Sequence, residues 1–168
     1  MNAALHVRTG LVAFMGPSLL SDWAEFGGLS AYTWAEWEAT VMRPEPRGEI
    51  SVAPEWSAEV TRWDADDDKP RQWVDNQGPR TVRGGEAVGP LVPANLATLL
   101  LLAGTPWWPD LAGAVIALEA ADEEQAWWIE RSLYQLRQIG VWELAAGLAF
   151  GSATRNRGSN LGSSTRSC

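Results

Sequence analysis

Glu119 is the residue best placed to do chemistry. It closes an apolar run, Ala114-Val115-Ile116-Ala117-Leu118, that reads as a strand. Asp122 to Ile139 then reads as a helix, and Ala146 to Phe150 as a second strand. Strand, carboxylate, helix and strand in that order predict two parallel strands joined by a right-handed crossover. Such a layout puts Glu119 at the carboxyl end of a buried strand, where open α/β sheets place their ligands. A carboxylate there can orient a histidine base for nucleophilic hydrolysis. A helix N-terminus beside it would favour its ionised form. The competing reading is structural, with Glu119 capping the helix or pairing with an arginine.

The partners such chemistry needs are less evident. His6 is the single histidine, and it precedes the first predicted strand. A surface or linker role suits it, since only a rearranged fold would make it the base. Ser18 lies in Gly16-Pro17-Ser18, but Leu19-Leu20 follows where a nucleophile elbow needs a second glycine. It reads as a loop or helix-cap serine. No phosphate loop or dinucleotide fingerprint is present, and no metal or other cofactor is expected. The clustered aspartates from Asp64 to Asp68 lack the central glycine and terminal glutamate of a calcium loop and read as a solvated loop.

These groups must be positioned by a modest scaffold. A chain of 168 residues suits one domain, or one and part of another, and buries roughly two-thirds of its unfolded surface. A net charge of −8 argues against nucleic acid and anionic membranes as partners. The only cysteine, Cys168, excludes an internal disulfide and a cysteine metal site. The Leu96–Ala103 run is too short to span a bilayer, and Leu11–Met15 lacks the flanks of a signal peptide. A cytoplasmic location is expected. Eleven tryptophans could form a glycan-stacking platform, although half-buried packing suits indole better.

Short strands are predicted at Leu11–Met15, Glu49–Val52, Trp73–Val74, Thr81–Arg83 and Ala87–Val92. Thr33-Trp34-Ala35-Glu36 reads as a capping box opening a helix to Met42. Pro93 reads as the first residue of a buried helix over Ala94–Ala103, ended by Gly104. In the helix after Glu119, Asp122 and Gln125 stand in capping-box positions. Ala126, Ile129, Leu133, Leu136 and Ile139 share one face, and Gly140 ends the helix. Ser152–Cys168 is polar and reads as disordered, or as a foreign end.

Four segments, in order, resemble the LD-carboxypeptidase family of serine peptidases, of the muramoyltetrapeptide carboxypeptidase and microcin C immunity peptidase type. Phe14-Met15-Gly16-Pro17-Ser18-Leu19-Leu20-Ser21-Asp22 is similar to the segment joining the family's two domains. Asn95 to Asp110, with Leu-Ala-Gly-Thr-Pro-Trp-Trp-Pro-Asp, resembles its LLGTPYWPD segment. Ile116-Ala117-Leu118-Glu119 with Asp122-Glu123 resembles its FLED…E segment. Arg131-Ser132-Leu133 through Ile139-Gly140-Val141, with Gly147-Leu148-Ala149-Phe150-Gly151, resembles its ending.

The resemblance implies an α/β fold of the family's C-terminal, swivelling β/α type: a small mixed sheet with a parallel βαβ unit. It divides the chain into residues 1–20 as the end of an N-terminal domain and linker, 21–151 as the C-terminal domain, and 152–168 as a tail. It implies a Ser-Glu-His triad in which Glu119 is the catalytic glutamate. The family's serine would fall before Met1 and its histidine after the last matched strand. Gly16, Pro17 and Asn95 are implied to contact substrate, a peptide or muropeptide ending in a D-amino acid. Pro93-Ala94-Asn95 departs from the family's usual Gly-Gly-Asn. The expectation is a C-terminal part of a serine-type LD-carboxypeptidase, inactive as this chain. A domain that normally docks on another should also expose an apolar face, and a homodimer is expected. Two other readings are a non-catalytic binding or dimerisation module and a tryptophan-rich glycan-binding protein.

Overall fold

A computed structural model describes residues 2–57, 59, 65, 68–121 and 125–151. Along the chain run α1 (Asn2–Thr9), a π-helical turn (Leu19–Trp23), α2 (Ala31–Val41), β1 (Glu55–Trp56), β2 (Val74–Asp75), β3 (Leu91–Asn95), α3 (Leu96–Leu100), β4 (Val115–Glu119), α4 (Ala126–Gln138), α5 (Val141–Leu144) and β5 (Gly147–Phe150). The chain divides into two compact units, residues 13–85 and residues 1–12 with 86–168. No helix among the described residues is long and apolar enough to cross a membrane.

The second unit carries a three-stranded sheet in the order β3-β4-β5. Both pairings are parallel, with Ile116 opposite Val92 on one side and Leu148 on the other. The fold is thus α/β, with the expected βαβ unit built by β4, α4 and β5. Alternation along β4 buries Ala114, Ile116 and Leu118 against Leu96 and Leu99 of α3, Leu136 of α4 and Val141 of α5. The other face of β4, with Val115, Ala117 and Glu119, grades from half-buried to exposed. Two loops before the sheet meet closely, since a Cβ on Gly89 would overlap the carbonyl oxygen of Gly113. Only glycine fits there.

Several elements differ from expectation. Pro93 stands inside β3, not at a helix start. The Val115 N–H donates to the Pro90 carbonyl, so even-numbered residues of β3 bond to β4 and Pro93 faces the other way. An edge strand tolerates proline in that orientation. Asn95 then caps α3, which is shorter than Ala94–Ala103 and leaves Leu101 exposed. Gln125 stands at the N-cap of α4, and its side chain accepts from the Trp127 indole N–H (2.8 Å) instead of capping. Asp122 lies outside the described residues. On α4 the buried positions are Ser132 and Leu136, with Ile129 and Leu133 half-buried and Ala126 and Ile139 exposed. Gly140, at φ +80°, ends the helix as expected, but Val141-Trp142 begins another short helix.

In the unit of residues 13–85, β1 and β2 pair antiparallel, which places a strand near the expected Trp73–Val74. The runs Leu11–Met15, Glu49–Val52 and Thr81–Arg83 form no strand; Val12, Ile50 and Val82 are exposed and no neighbouring strand pairs with them. Helix α2 begins at Ala31, because Ser30 rather than Thr33 takes the cap and accepts from the Thr33 N–H (3.1 Å). The Asp64–Asp68 loop falls largely outside the described residues, and the 152–168 tail wholly so.

Candidate active site

Glu119 is the last residue of β4, the central strand, so its neighbours come from both flanking strands. Asn95, which ends β3, stands directly opposite it. In parallel strands, residues in register project from the same face, so these two side chains share the face away from the apolar core. On the other side, the Gly151 N–H donates to the Leu118 carbonyl (2.7 Å) just past the end of β5. A Cβ on Gly151 would lie 3.7 Å from the Glu119 Cβ. The carboxyl rim of the sheet therefore presents an amide, a carboxylate and a glycine in one row.

The local sequence explains how Asn95 is held. Its Oδ1 accepts from both the Thr98 N–H (3.0 Å) and the Thr98 hydroxyl (3.1 Å). With the oxygen committed to the cap, the amide NH2 is left as a donor. Glu119 is exposed and makes no side-chain hydrogen bond or ion pair among the described residues. It does not cap α4, whose N-cap is Gln125. A carboxylate kept free of structural partners at a strand end can accept a bond from an imidazole N–H.

Gly16 and Pro17 belong to the unit of residues 13–85, whereas Asn95 and Glu119 belong to the sheet unit. Gly16 has ordinary room, since a Cβ there would meet the Trp37 indole at 3.9 Å. Ser18 caps the π-helical turn. Its hydroxyl accepts from the Ser21 N–H (3.4 Å), and its own N–H donates to the Asp22 carboxylate (2.7 Å). His6 is exposed in α1, with Nδ1 3.2 Å from the Leu11 carbonyl oxygen. Among the described residues no cluster of histidine, cysteine and carboxylate side chains could hold a metal.

The tryptophans mostly pack. Trp23 meets Trp34 and Trp37 edge to face, at 6.0 and 5.2 Å between ring centroids. Arg8 lies over Trp107 (5.1 Å) and Arg131 over Trp127 (5.7 Å). Trp34, Trp73, Trp107 and Trp127 nonetheless remain exposed.

Sequence reasoning missed the Thr98 clamp and a shallow groove of about 470 Å³ along α4 and α5. Asn-x-x-Thr is a legible capping signal. Tyr134 and Arg137, on the exposed side of α4 with Leu133, signal the groove. Glu119 is not among its lining residues.

Comparisons with known proteins bear on the family and the fold. Residues 88–167 match the profile of the LD-carboxypeptidase C-terminal domain. A Bacillus subtilis (strain 168) protein, YocD, whose name carries a provisional carboxypeptidase designation, is 34% identical over 116 residues, covering 69% of this chain and 34% of its own. The muramoyltetrapeptide carboxypeptidase of Oxalobacter formigenes has the same fold at a TM-score of 0.58 and 29% identity, covering 90% of this chain and 42% of that one. MccF, solved in complex with glutamyl sulfamoyl guanosine, superposes at a TM-score of 0.71 with 21% identity, over 95% of this chain and 48% of that one. Over residues 88–167 this chain is thus similar to the C-terminal domain of the LD-carboxypeptidase family. It spans between 34% and 45% of the length of the curated relatives it matches.

Proposed function

We propose that this chain is the C-terminal part of a serine-type LD-carboxypeptidase that hydrolyses the amide bond to a C-terminal D-amino acid, in a muropeptide or a related peptide conjugate, in the cytoplasm. The supporting observation is Glu119, an exposed carboxylate without a structural partner at the end of the central strand, beside a donor amide. In the proposed reaction a serine attacks the scissile carbonyl and a histidine takes its proton. Glu119 accepts the other imidazole N–H, fixes the tautomer and stabilises the imidazolium. Asn95, Gly16 and Pro17 contact substrate, the first through its free NH2.

Neither Ser18 nor His6 is arranged to serve as nucleophile or base, because Ser18 is committed to a cap and His6 to an exposed helix. These 168 residues alone are therefore expected to release no D-alanine from an L,D-tetrapeptide. Residues 88–151, grafted in place of the matching segment of the B. subtilis relative, test the role of Glu119. The chimera should release D-alanine, and Glu119→Gln in it should lower kcat by about 10⁴-fold, as loss of the orienting carboxylate does in other triads. Turnover by the isolated chain, or full activity in the chimera that carries Glu119→Gln, would overturn the reading. A second reading, a non-catalytic binding or dimerisation module of the same fold, is favoured by the exposed groove on α4.

A further inference from the structure

We infer that Thr98 is a positioning residue: its hydroxyl locks the Asn95 carboxamide so that the NH2 presents a fixed donor to an acceptor oxygen of a ligand at the sheet's rim. This rests on the carboxypeptidase reading above, in which that oxygen belongs to the peptide. Asn95 both ends β3 and stands at the N-cap of α3. Its backbone is held by the ladder opposite Glu119, so only its side-chain torsions remain to be set. The Thr98 N–H (3.0 Å) and the Thr98 hydroxyl (3.1 Å) converge on its Oδ1. A cap needs only the first of these bonds. The second takes up the other lone pair. A helical threonine can instead return its hydroxyl to a carbonyl three or four residues back; here it goes to Asn95. Turning the amide over would set its NH2 against the Thr98 N–H, donor against donor, so the clamp admits one orientation.

The other caps separate this arrangement from plain helix termination. Among the described residues, the remaining side-chain caps are Ser18 and Ser30, each with a single hydroxyl. Ser30 even stands three residues before a threonine, with 2.8 Å between the two hydroxyl oxygens. The spacing recurs there, but the cap residue has no second group to present. At the rim the cap residue is a half-buried asparagine with a whole NH2 left over. That NH2 makes no hydrogen bond among the described residues, and neither does the Glu119 side chain in register with it. A donor and an acceptor kept unmatched side by side are each free for a different guest. In the proposed reaction Glu119 takes an imidazole N–H, and Asn95 takes a carbonyl or carboxylate oxygen of the peptide. The group that meets ligand is the side-chain NH2, not the backbone of this short helix.

One readout needs no turnover. In the full 168-residue chain, nitrogen relaxation should show the Asn95 NH2 to be as ordered as the neighbouring backbone. Thr98→Val keeps the N–H cap and the branched side chain but loses the hydroxyl. It should lower the order parameter of that NH2 below about 0.6, while the backbone amides of α3 and the thermal midpoint hold. Thr98→Ser should restore the order. In the chimera described above, Thr98→Val should raise KM for an L,D-tetrapeptide about fivefold with kcat little changed, since it loosens binding and leaves the triad alone. Thr98→Ser should recover the parent KM. Asn95→Asp keeps the cap oxygen and removes the donor, so it should raise KM by about 100-fold without unfolding the chain. A mobile NH2 in the parent chain, an equally ordered one in Thr98→Val, or a KM indifferent to Thr98→Val would overturn the role of Thr98. A folded but inert chimera would overturn the carboxypeptidase reading, and with it the peptide as guest, while relaxation still decides whether Thr98 holds the amide.

Discussion

The two compact units are held together by different physics. In the sheet unit, Leu96, Leu99, Ala114, Ile116, Leu118, Leu136 and Val141 are almost wholly shielded from water, and three parallel strands tie distant parts of the chain together. In the unit of residues 13–85, no described residue is fully buried. One anchor is the mutually touching Trp23, Trp34 and Trp37 group. A second anchor is Arg71, whose Nε lies 2.6 Å from the Glu25 carboxylate and whose guanidinium also donates to the Ser21 carbonyl (2.9 Å). The Glu59 carboxylate accepts from the Gln72 N–H next door. One unit depends on removing apolar area from water, and the other on a few aromatic edges and one branched cation. The sheet unit also carries the candidate glutamate, so precise placement and a dry core coincide.

That difference can be broken from either side. The largest effect is expected for Ile116→Ala, which empties the centre of the core and should cost about 3–4 kcal/mol, read as a lower thermal midpoint with loss of protection across β3, β4 and β5. Trp37→Ala removes the hub of the indole group. It should cost about 2 kcal/mol, less than a fully buried tryptophan would, and its loss of hydrogen-exchange protection should stay within residues 13–85. Arg71→Met leaves Glu25 without its cation and should cost about 1–2 kcal/mol. Added salt should narrow the gap between Arg71→Met and the parent chain, but not the gap left by Ile116→Ala. The smallest effect is expected for Glu119→Gln, which should leave the thermal midpoint unchanged. A marked shift there would mean that this carboxylate is structural.

The sheet unit was also the more legible in the sequence. Strand β4 could be read because its apolar run is long and bounded. Helix α4 could be read because its spacing is periodic and Gly140 ends it with a positive φ. Position 119 at a strand end followed from those two elements. Where the reading failed, the missing information was non-local. Leu11–Met15, Glu49–Val52 and Thr81–Arg83 have strand-like composition, but a strand also needs a neighbour, which composition does not specify. Pro93 was legible as a helix opener only because nothing local says that β3 lies at an edge. Ser30 and Thr33 are both good caps three residues apart, and the choice between them depended on how the preceding turn delivers the chain. The Thr98 clamp on Asn95 was readable in principle, since it uses only a three-residue spacing.

Pro93 has a consequence beyond the placement of a helix. Its ring nitrogen faces outward from β3, so that rim lacks one of the N–H donors by which a stray extended peptide would zip onto it. The flank beside Asn95 is thereby guarded against unwanted strand addition. The Asn95 amide donor and the Glu119 carboxylate can then remain open to a ligand without that rim also becoming a seed for fibrous self-assembly.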